Sequence, residues 1–256
     1  MKKIYKFLLN SLPRPILIRL SYIFKIFAPL IYKGDAVECP VCDKKFKKFL
    51  SYGSDIAHRE NVLCPYDLTL ERHRLMWLFL KNESDFFSSK KLEVLHIAPE
   101  QCFYSLFKKQ KNLKYLTGDL VSPLADLHFD LHEIPLEENT FDVVFCNHVL
   151  EHVNDAKKCM SELYRVLKPG GMGIFQIPQD LSRDVTFFDD SITNQKERAA
   201  IFGQYDHVRI YGRDYFDKLR SIGFNVVEED YTNKIKPELV KRYCLAKGEI
   251  IPICYK

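Results

Sequence analysis

The pattern of apolar and polar positions changes near residue 90. Beyond that point, short apolar runs with β-branched residues alternate with stretches whose apolar side chains recur at helical spacing. The predicted strands are LEVLHIA, LKYLTGD, FDVVFCN, MGIFQIP, FNVVEED and EIIPICY, and the predicted helices lie at 100–110, in DAKKCMSELYRVLK and in GRDYFDKLRSIGF. Repeated alternation of strands and helices predicts an α/β fold, with a mainly parallel sheet covered by helices on both faces.

Residues 1–33 have a different pattern, apolar with positive charge only. Prolines and arginines interrupt the run, so it is too broken to span a bilayer, and it lacks the A-x-A cleavage site of a signal peptide. On a helical projection of residues 15–33, one side holds Arg19, Tyr22, Lys25 and Lys33, and much of the rest is Ile16, Leu20, Ile23, Phe24, Phe27 and Leu30. This pattern is typical of a basic amphipathic helix at a membrane surface, and equally of a helix that packs on the protein's own core.

Composition adds that the chain is globular and that its positive charge is local. The 256 residues are 46% hydrophobic and 28% charged, enough for one large α/β domain and a small appendage. Residues 1–48 hold eleven Lys/Arg against three Asp/Glu, whereas the remainder holds 27 against 31. The main domain therefore gives no electrostatic reason to expect nucleic acid.

Three of the eight cysteines stand at metal-binding spacing. Cys39-Pro-Val-Cys42 is followed, after 21 residues, by Cys64-Pro-Tyr-Asp67. Two such knuckles are typical of a zinc ribbon, and a carboxylate can ligate zinc, so Cys39, Cys42, Cys64 and Asp67 are the predicted ligands of a structural zinc. His58 and His73 are alternative fourth ligands, and buried thiols without metal are the alternative for the whole cluster. With no cleavable signal evident, this cysteine usage predicts a reducing cytoplasm. The basic amphipathic pattern adds the inner face of the membrane as an alternative location.

Polar residues follow the predicted strands where a nucleotide site needs them. Asp119 ends LKYLTGD, and a carboxylate there can accept from both hydroxyls of a ribose. Asp130 follows another apolar pair, where its carboxylate or a neighbouring amide can meet an adenine edge. Asn147 and His148 come just after FDVVFC and face the same crevice.

The order LEVLHIAPE, TGDL, DLHEIP, FDVVFCNHVLEHV, LYRVLKPGG and FQIP resembles the class I S-adenosylmethionine-dependent methyltransferases, particularly the type 11 subfamily. The resemblance implies a Rossmann-like, seven-stranded, mostly parallel sheet with an antiparallel last strand, and S-adenosylmethionine as methyl donor. Carried over by position, Asp119 and Leu120 bind the ribose end, Asp130 and Leu131 flank the adenine, and Asn147 and His148 lie near the methyl group. The knuckles are similar to a small zinc ribbon that precedes the catalytic domain in one subgroup.

One loop departs from the family pattern. Where members carry an acidic residue and alternating glycines, this chain has residues 96–102 with no glycine. We expect His96 to replace the acid, Glu100 to pair with the ammonium of the donor, and Ala98 to line the same loop. The alternative is that donor binding is lost and the domain is a scaffold.

The long connection 179–211 is the predicted acceptor region. It contains Asp206, His207, Arg209 and Tyr211, of which His207, together with His148, is a candidate catalytic group, since an imidazole can deprotonate a hydroxyl. Alternatively, these side chains only hold the loop to the sheet.

These patterns predict three segments: a basic helical segment (1–36), a zinc-ribbon-like unit with a helix (37–80) and a methyltransferase domain (90–256). The predicted function is methyl transfer to a small-molecule, glycan or lipid-linked acceptor, with oxygen as the preferred target atom. The alternatives are a non-catalytic interaction module and an RNA-modifying enzyme, the latter suggested by the ribbon and its adjacent lysines.

Overall fold

The computed structural model describes residues 14–53 and 58–256, which form two compact units. The first unit comprises the described residues up to Ser84 together with Tyr231–Glu249, and the second comprises Asp85–Asp230 and Ile250–Lys256. Segment 231–249, which lies inside the range predicted for the methyltransferase domain, thus belongs to the first unit.

The described helices and strands follow the predicted alternation. The helices are α1 Arg14–Ile31, α2 Glu71–Glu83, α3 Gln101–Phe107, α4 Ala156–Val166, α5 Gln195–Phe202, α6 Tyr215–Ile222 and α7 Pro237–Arg242, with a 3₁₀ turn at Tyr231–Lys234. The strands are β1 Lys33–Cys39, β2 Lys44–Phe46, β3 Leu50–Tyr52, β4 Arg59–Leu63, β5 Leu92–Ile97, β6 Leu113–Asp119, β7 Leu127–His128, β8 Phe141–Cys146, β9 Leu167–Ile174, β10 Phe187–Phe188, β11 Arg209–Ile210, β12 Asn225–Glu229 and β13 Ile251–Tyr255.

The second unit contains a seven-stranded sheet in the order β12-β13-β9-β8-β5-β6-β7. Strands β7, β6, β5, β8 and β9 pair in parallel, whereas β13 runs antiparallel to both of its neighbours. This arrangement confirms the predicted Rossmann-like, mostly parallel sheet with an antiparallel last strand. In such sheets the carboxyl ends of the parallel strands form the ligand-binding edge.

Helices α4 and α6 lie beside each other and bury their apolar faces in the core of this unit. Asp155 caps α4, because its side chain accepts a hydrogen bond from the amide of Lys158 at 2.9 Å. Leu163 and Leu219 are fully buried, and each stabilises the fold by about 1.5–3 kcal/mol.

Two boundaries differ from the sequence prediction. The predicted stop of α4 is confirmed, but the expected turn at 169–171 lies within β9, where the pairing with β8 shifts register and Gly170 has φ +75°. Residues 168–171 form a bulge between the pairs Phe141–Leu167 and Val143–Met172, so the chain bends here without leaving the sheet. The projected helical face of residues 15–33 is also shorter than predicted, because α1 ends at Ile31 and Lys33 belongs to β1.

Buried Arg74 joins the two chain segments of the first unit. Its guanidinium donates to the carbonyl oxygens of Tyr243 at 2.7 Å and Cys244 at 2.9 Å, both in segment 231–249. It also donates to the carbonyl oxygens of Val62 at 2.9 Å and Thr69 at 2.8 Å. A single side chain of α2 thereby satisfies four carbonyl groups from separate parts of this unit.

Candidate functional site

The carboxyl edge of the parallel strands gathers the predicted donor-binding residues. Strand register aligns the carboxyl ends of β6, β5, β8 and β9, since Ile97 pairs with Gly118 and with Cys146, and Phe145 pairs with Ile174. A row of four residues stands at or just beyond these last pairs: Asp119, Ala98, Asn147 and Gln176. The first three were predicted from the sequence, and they come together because parallel strands end at the same edge.

Glu100 connects two of these strands. One of its carboxylate oxygens contacts Nε2 of His96, and the other accepts a hydrogen bond from Nδ2 of Asn147 at 3.1 Å. His96 is fully buried in β5, and its Nδ1 hydrogen bonds with the hydroxyl of Tyr115 at 2.8 Å. The glycine-free loop is therefore cross-linked by side chains, and Glu100 is positioned by the protein itself.

Two non-glycine residues at this edge adopt left-handed backbone conformations. Ala98 has φ +50° and His148 has φ +56°, which costs roughly 1–2 kcal/mol for each residue with a Cβ. The amide of Ala98 donates to the carbonyl of Gly118 at 2.8 Å, and that of His148 donates to the carbonyl of Gln176 at 2.7 Å. Backbone strain of this kind concentrates at functional sites. Ala98 thus makes a left-handed turn, a conformation that glycine adopts at lower cost.

Asp119 has one carboxylate oxygen fixed by the protein. Its Oδ1 accepts hydrogen bonds from the amides of Val121 at 2.7 Å and Ser122 at 2.6 Å. The neighbouring Leu120 is 66% exposed, so an apolar surface lies next to the carboxylate. This pair suits a ribose with an adjoining base.

Asp130 and Leu131 lie on the loop after β7. Asp130 accepts hydrogen bonds from the amide of His132 at 2.9 Å and from its ring at 2.6 Å, and both contacts lower the pKa of the Asp130 carboxyl. Leu131 is buried in the core cluster. The carboxylate is thus exposed and charged, whereas Leu131 anchors the loop.

Gln176 is a candidate that sequence reasoning missed. Its side chain is 2% exposed, yet neither its amide nitrogen nor its amide oxygen has a hydrogen-bonding partner. Buried polar atoms are rarely left unpaired, so such a group at a ligand edge indicates a bound molecule or water. The sequence signal that could have identified Gln176 is its position in FQIP, one of the segments that carry the family resemblance.

A second group of polar side chains surrounds His207. The ring centroids of His207 and His152 are 4.7 Å apart, and Glu151 lies with them, since one ligand atom from each of the three residues lies within 4.8 Å of the others. Glu151 Oε1 is 3.3 Å from Nδ1 of His148. Burial lowers the pKa of His207, with the Glu151 carboxylate acting in the opposite direction. The structure therefore brings together both predicted catalytic histidines with Glu151 and His152, which the sequence analysis did not single out although they stand in the VLEHV motif.

The other predicted acceptor residues make contacts with the surrounding protein. Asp206 Oδ2 is 3.4 Å from Nδ1 of His152. Arg209 donates to the carbonyls of Val153 at 2.6 Å and Asn154 at 2.7 Å, and its Nε is buried without a partner. Tyr211 is fully buried and donates to the carbonyl of Leu150 at 3.1 Å. Arg209 and Tyr211 thus hold the 179–211 segment against the loop after β8.

The four predicted zinc ligands form one cluster in the first unit. Cys39, Cys42, Cys64 and Asp67 each offer a ligand atom, and these atoms lie within 4.8 Å of one another. The thiols of Cys42 and Cys64 are 3.9 Å apart, close to the separation of about 3.8 Å that tetrahedral Zn–S bonds of about 2.3 Å require. Neither alternative ligand belongs to this cluster of described residues: His58 is exposed, and Nδ1 of His73 accepts from the amide of Leu70 at 3.1 Å.

The two knuckles share one backbone conformation. The amide of Asp43 donates to the carbonyl of Cys39, and the amide of Leu68 donates in the same way to the carbonyl of Cys64. Asp43 and Leu68 also share left-handed φ values of 54° and 63°. Asp67 therefore occupies in the second knuckle the place that Cys42 occupies in the first.

The ionisable groups of this cluster shift one another's pKa values. Burial opposes ionisation of Cys39, but hydrogen bonds from the thiols of Cys42 and Cys64 hold its pKa well below its ordinary value. Burial, together with the neighbouring Cys39, raises the pKa of Asp67 to about 6. Three thiols and a carboxylate gathered at one largely buried position fit a divalent cation, because thiolate and carboxylate groups are ligands of such an ion.

Helix α1 leaves much of its apolar surface exposed. Its exposed large apolar side chains are Ile16, Leu20, Ile23, Ile26, Phe27, Leu30 and Ile31. Over the described part of the chain, no helix has both the length and the hydropathy needed to cross a membrane.

In a comparison with known protein families, residues 90–175 match the model of the family described as Methyltransferase domain. A sterol 24-C-methyltransferase of Schizosaccharomyces pombe is 32% identical over 124 residues, covering 47% of this chain and 32% of the yeast protein. A malonyl-[acyl-carrier protein] O-methyltransferase of Buchnera aphidicola is 45% identical over 49 residues, or 19% of this chain and 20% of that protein. The solved structure of an S-adenosylmethionine-dependent methyltransferase from Mesorhizobium loti is 15% identical, covers 71% of this chain and 98% of its own, and has a TM-score of 0.46.

The match of residues 90–175 to this family model confirms the resemblance predicted from the sequence. The matched regions span about a third and a fifth of the lengths of the two relatives.

Proposed function

We propose that this protein transfers the methyl group of S-adenosylmethionine to an acceptor of small-molecule, glycan or lipid-linked type. The observation that carries the proposal is the row Asp119, Ala98, Asn147 and Gln176 at the carboxyl edge of a sheet within a methyltransferase domain. The names of the two relatives state that they act on a sterol and on malonyl-[acyl-carrier protein], which favours a small or carrier-bound acceptor.

Each residue of the edge has a role in holding the donor. The second carboxylate oxygen of Asp119 accepts from the ribose hydroxyls, and Leu120 covers the ribose end of the donor. Asp130 and the backbone beside Leu131 meet the adenine. His96 and Asn147 hold Glu100 so that its carboxylate faces the ammonium of the methionine part, with Ala98 closing the turn.

The bound donor supplies a methyl group that is already activated by its sulfonium. The protein then needs to align an acceptor oxygen with that methyl group and exclude water. His148 and His207 lie on the acceptor side, where Asp206, Arg209 and Tyr211 position the long 179–211 segment. The proposed preference for oxygen follows from these imidazoles, because a hydroxyl must lose a proton before or during attack.

We also propose that the first unit binds one structural zinc through Cys39, Cys42, Cys64 and Asp67. All four positions are filled by protein side chains, so no coordination site remains for a substrate. The basic, apolar surface of α1 is proposed to rest on the inner, anionic face of a membrane, which places the protein in the cytoplasm or at its boundary.

Two other functions make different predictions. A non-catalytic module would retain the fold but not bind the donor. An RNA-modifying enzyme would bind RNA in a manner that weakens steeply with salt, whereas nucleic acid is not an expected partner of the proposed enzyme.

Titration calorimetry with S-adenosylmethionine tests the proposal directly. We expect saturable binding of one donor per chain, since the proposed contacts to the ribose, the adenine and the methionine part each occur once along the sheet edge. Absence of a measurable heat at millimolar donor, with the protein folded by circular dichroism, would falsify the methyltransferase proposal and leave the non-catalytic module.

A further inference from the structure

The group around His207 has the composition and arrangement of a metal site separate from the cysteine cluster. Glu151 and His152 are adjacent in the loop after β8, and His207 comes from the 179–211 segment. The amide of Val208 donates to the carbonyl of Glu151 at 3.0 Å, which fastens the two segments together at this point.

Each of the three residues has one atom held by the protein. Glu151 Oε1 is 3.3 Å from the ring of His148, and His152 Nδ1 is 3.4 Å from Asp206 Oδ2. His207 Nδ1 lies 3.3 Å from the carbonyl of Phe202. Contacts of this type to the outer atom of a ligand are what orient the inner atom toward a metal.

The opposite atoms of the two most buried residues have no partner. Glu151 is 1% exposed and its Oε2 is unpaired; His207 is 4% exposed and its Nε2 is unpaired. An unpaired buried carboxylate oxygen is costly, and a cation is the group that compensates for it best. His152 is partly exposed, so an ion can reach the group from solvent.

We propose that Glu151, His152 and His207 bind a divalent cation of the zinc class, with one coordination position open for an oxygen of the acceptor. Two imidazoles and one carboxylate form the ligand set of catalytic zinc sites, whereas magnesium and calcium prefer oxygen ligands. Bonds of about 2.0–2.1 Å in tetrahedral geometry place ligand atoms about 3.3 Å apart. In the structure the three ligand atoms lie within 4.8 Å of one another, so binding an ion requires each pair to move closer by at most about 1.5 Å.

The site adjoins the donor edge, because His148, which contacts Glu151, follows Asn147 of the edge row directly in sequence. Its role rests on the proposed methyl transfer, although the cation site itself does not. An acceptor hydroxyl in the open position loses its proton more readily, and that proton passes to water. The resulting oxygen forms a bond to the methyl carbon as the carbon–sulfur bond breaks, and the donor leaves as a neutral thioether. His207 then serves as a ligand rather than as the base.

Loading with Co²⁺ tests this site independently of activity, because thiolate and non-thiolate sites differ in absorption. Protein exchanged into Co²⁺ is expected to hold two ions per chain: one with thiolate-to-cobalt charge-transfer absorption from the cysteine cluster, and one without. The variants Glu151→Gln and His207→Ala should each lose the second ion only. Cys64→Ala should lose the thiolate absorption and retain the second ion, and His128→Ala, which removes an exposed histidine, should retain both.

The wild type and Glu151→Gln can be compared by the amount of Co²⁺ that each binds outside the thiolate site. Equal amounts would overturn the proposal, and the three residues would then be a hydrogen-bonded acid–base group. The nearly isosteric Glu151→Gln decides the matter if His207→Ala does not fold. Donor titration of the same samples separates this result from the proposed function. If the wild type binds the second Co²⁺ but no donor, only the methyl-transfer proposal is contradicted. If it binds the donor but no second Co²⁺, only the cation site is contradicted.

Discussion

At the scale of single residues, what the donor edge can bind depends on which side-chain atoms already form hydrogen bonds within the protein. Asp119 has one oxygen fixed by two backbone amides, so only the other is available to a ligand. Glu100 has both oxygens in contact with protein groups, which means that it reaches a ligand as part of a network with His96 and Asn147. The sequence shows the residue types, but only the contacts show which of their atoms remain.

Asp119→Asn is predicted to weaken binding of S-adenosylmethionine by at least about tenfold. The amide oxygen of asparagine can still accept from Val121 and Ser122, but its nitrogen cannot accept from a ribose hydroxyl, and a hydrogen bond to a charged group contributes about 1.5–3 kcal/mol. Titration calorimetry measures the change. Asp142→Asn is the matched control: Asp142 lies at the start of β8, away from the carboxyl edge, and accepts from the amide of Glu93. Wild-type affinity in Asp119→Asn would show that the ribose is held elsewhere.

At the scale of elements, α1 shows how an amphipathic pattern leaves its partner open. The periodicity of residues 15–33 fitted either a membrane surface or the protein's own core. In the structure, Ile26 is 68% exposed and Leu30 is 75% exposed. Among the described residues, this face of α1 is therefore left uncovered, which is compatible with the proposed membrane contact.

The double substitution Ile26→Gln and Leu30→Gln is predicted to reduce binding to vesicles containing phosphatidylglycerol by at least about tenfold. Burying one large apolar side chain contributes about 1.5–3 kcal/mol, and glutamine keeps the helix propensity. Co-sedimentation measures the bound fraction. Leu181→Gln, at a position 50% exposed in the second unit, is the control and should bind as the wild type does. A wild-type protein that stays in the supernatant would contradict the membrane role of α1.

At the scale of the whole molecule, the chain builds its first unit from two distant segments. After β12 it leaves the sheet, contributes Tyr231–Glu249 to the first unit, and returns as β13. Arg74 links these segments through four carbonyl groups and lies over the ring of Phe49, with 4.6 Å between guanidinium carbon and ring centre. The guanidinium of Arg74 therefore fixes much of the geometry of this unit.

Arg74→Met is predicted to lower the free energy of unfolding of the first unit by about 3 kcal/mol or more. Each buried carbonyl that loses its donor costs about 1–3 kcal/mol. Hydrogen exchange should increase at residues 243–245 and 62–69, while peptides of the second unit keep their protection. Lys81→Met, at an exposed position of the same helix, should change stability by no more than about 0.5 kcal/mol. Unchanged exchange in Arg74→Met would show that other contacts join the segments.

The sequence by itself determined the alternation of elements, the fold class, the strand-end residues Asp119 and Asn147, and the two cysteine knuckles. It did so because burial imposes a local period on strands and helices, and because a knuckle is a turn of a few residues. The loop at Ala98 was found by its departure from the family pattern, but its left-handed turn was visible only in the backbone.

Only the tertiary structure decided which distant residues meet. Glu151 and His207 are far apart in the chain, and no periodicity connects them; the contact of the 179–211 segment with the loop after β8 brings them together. The same holds for Arg74 and Tyr243, and for the contact between Glu100 and Asn147. Sequence patterns report how each segment is buried, whereas strand register and packing of connections set the distances between side chains, and those distances determine what a site can bind.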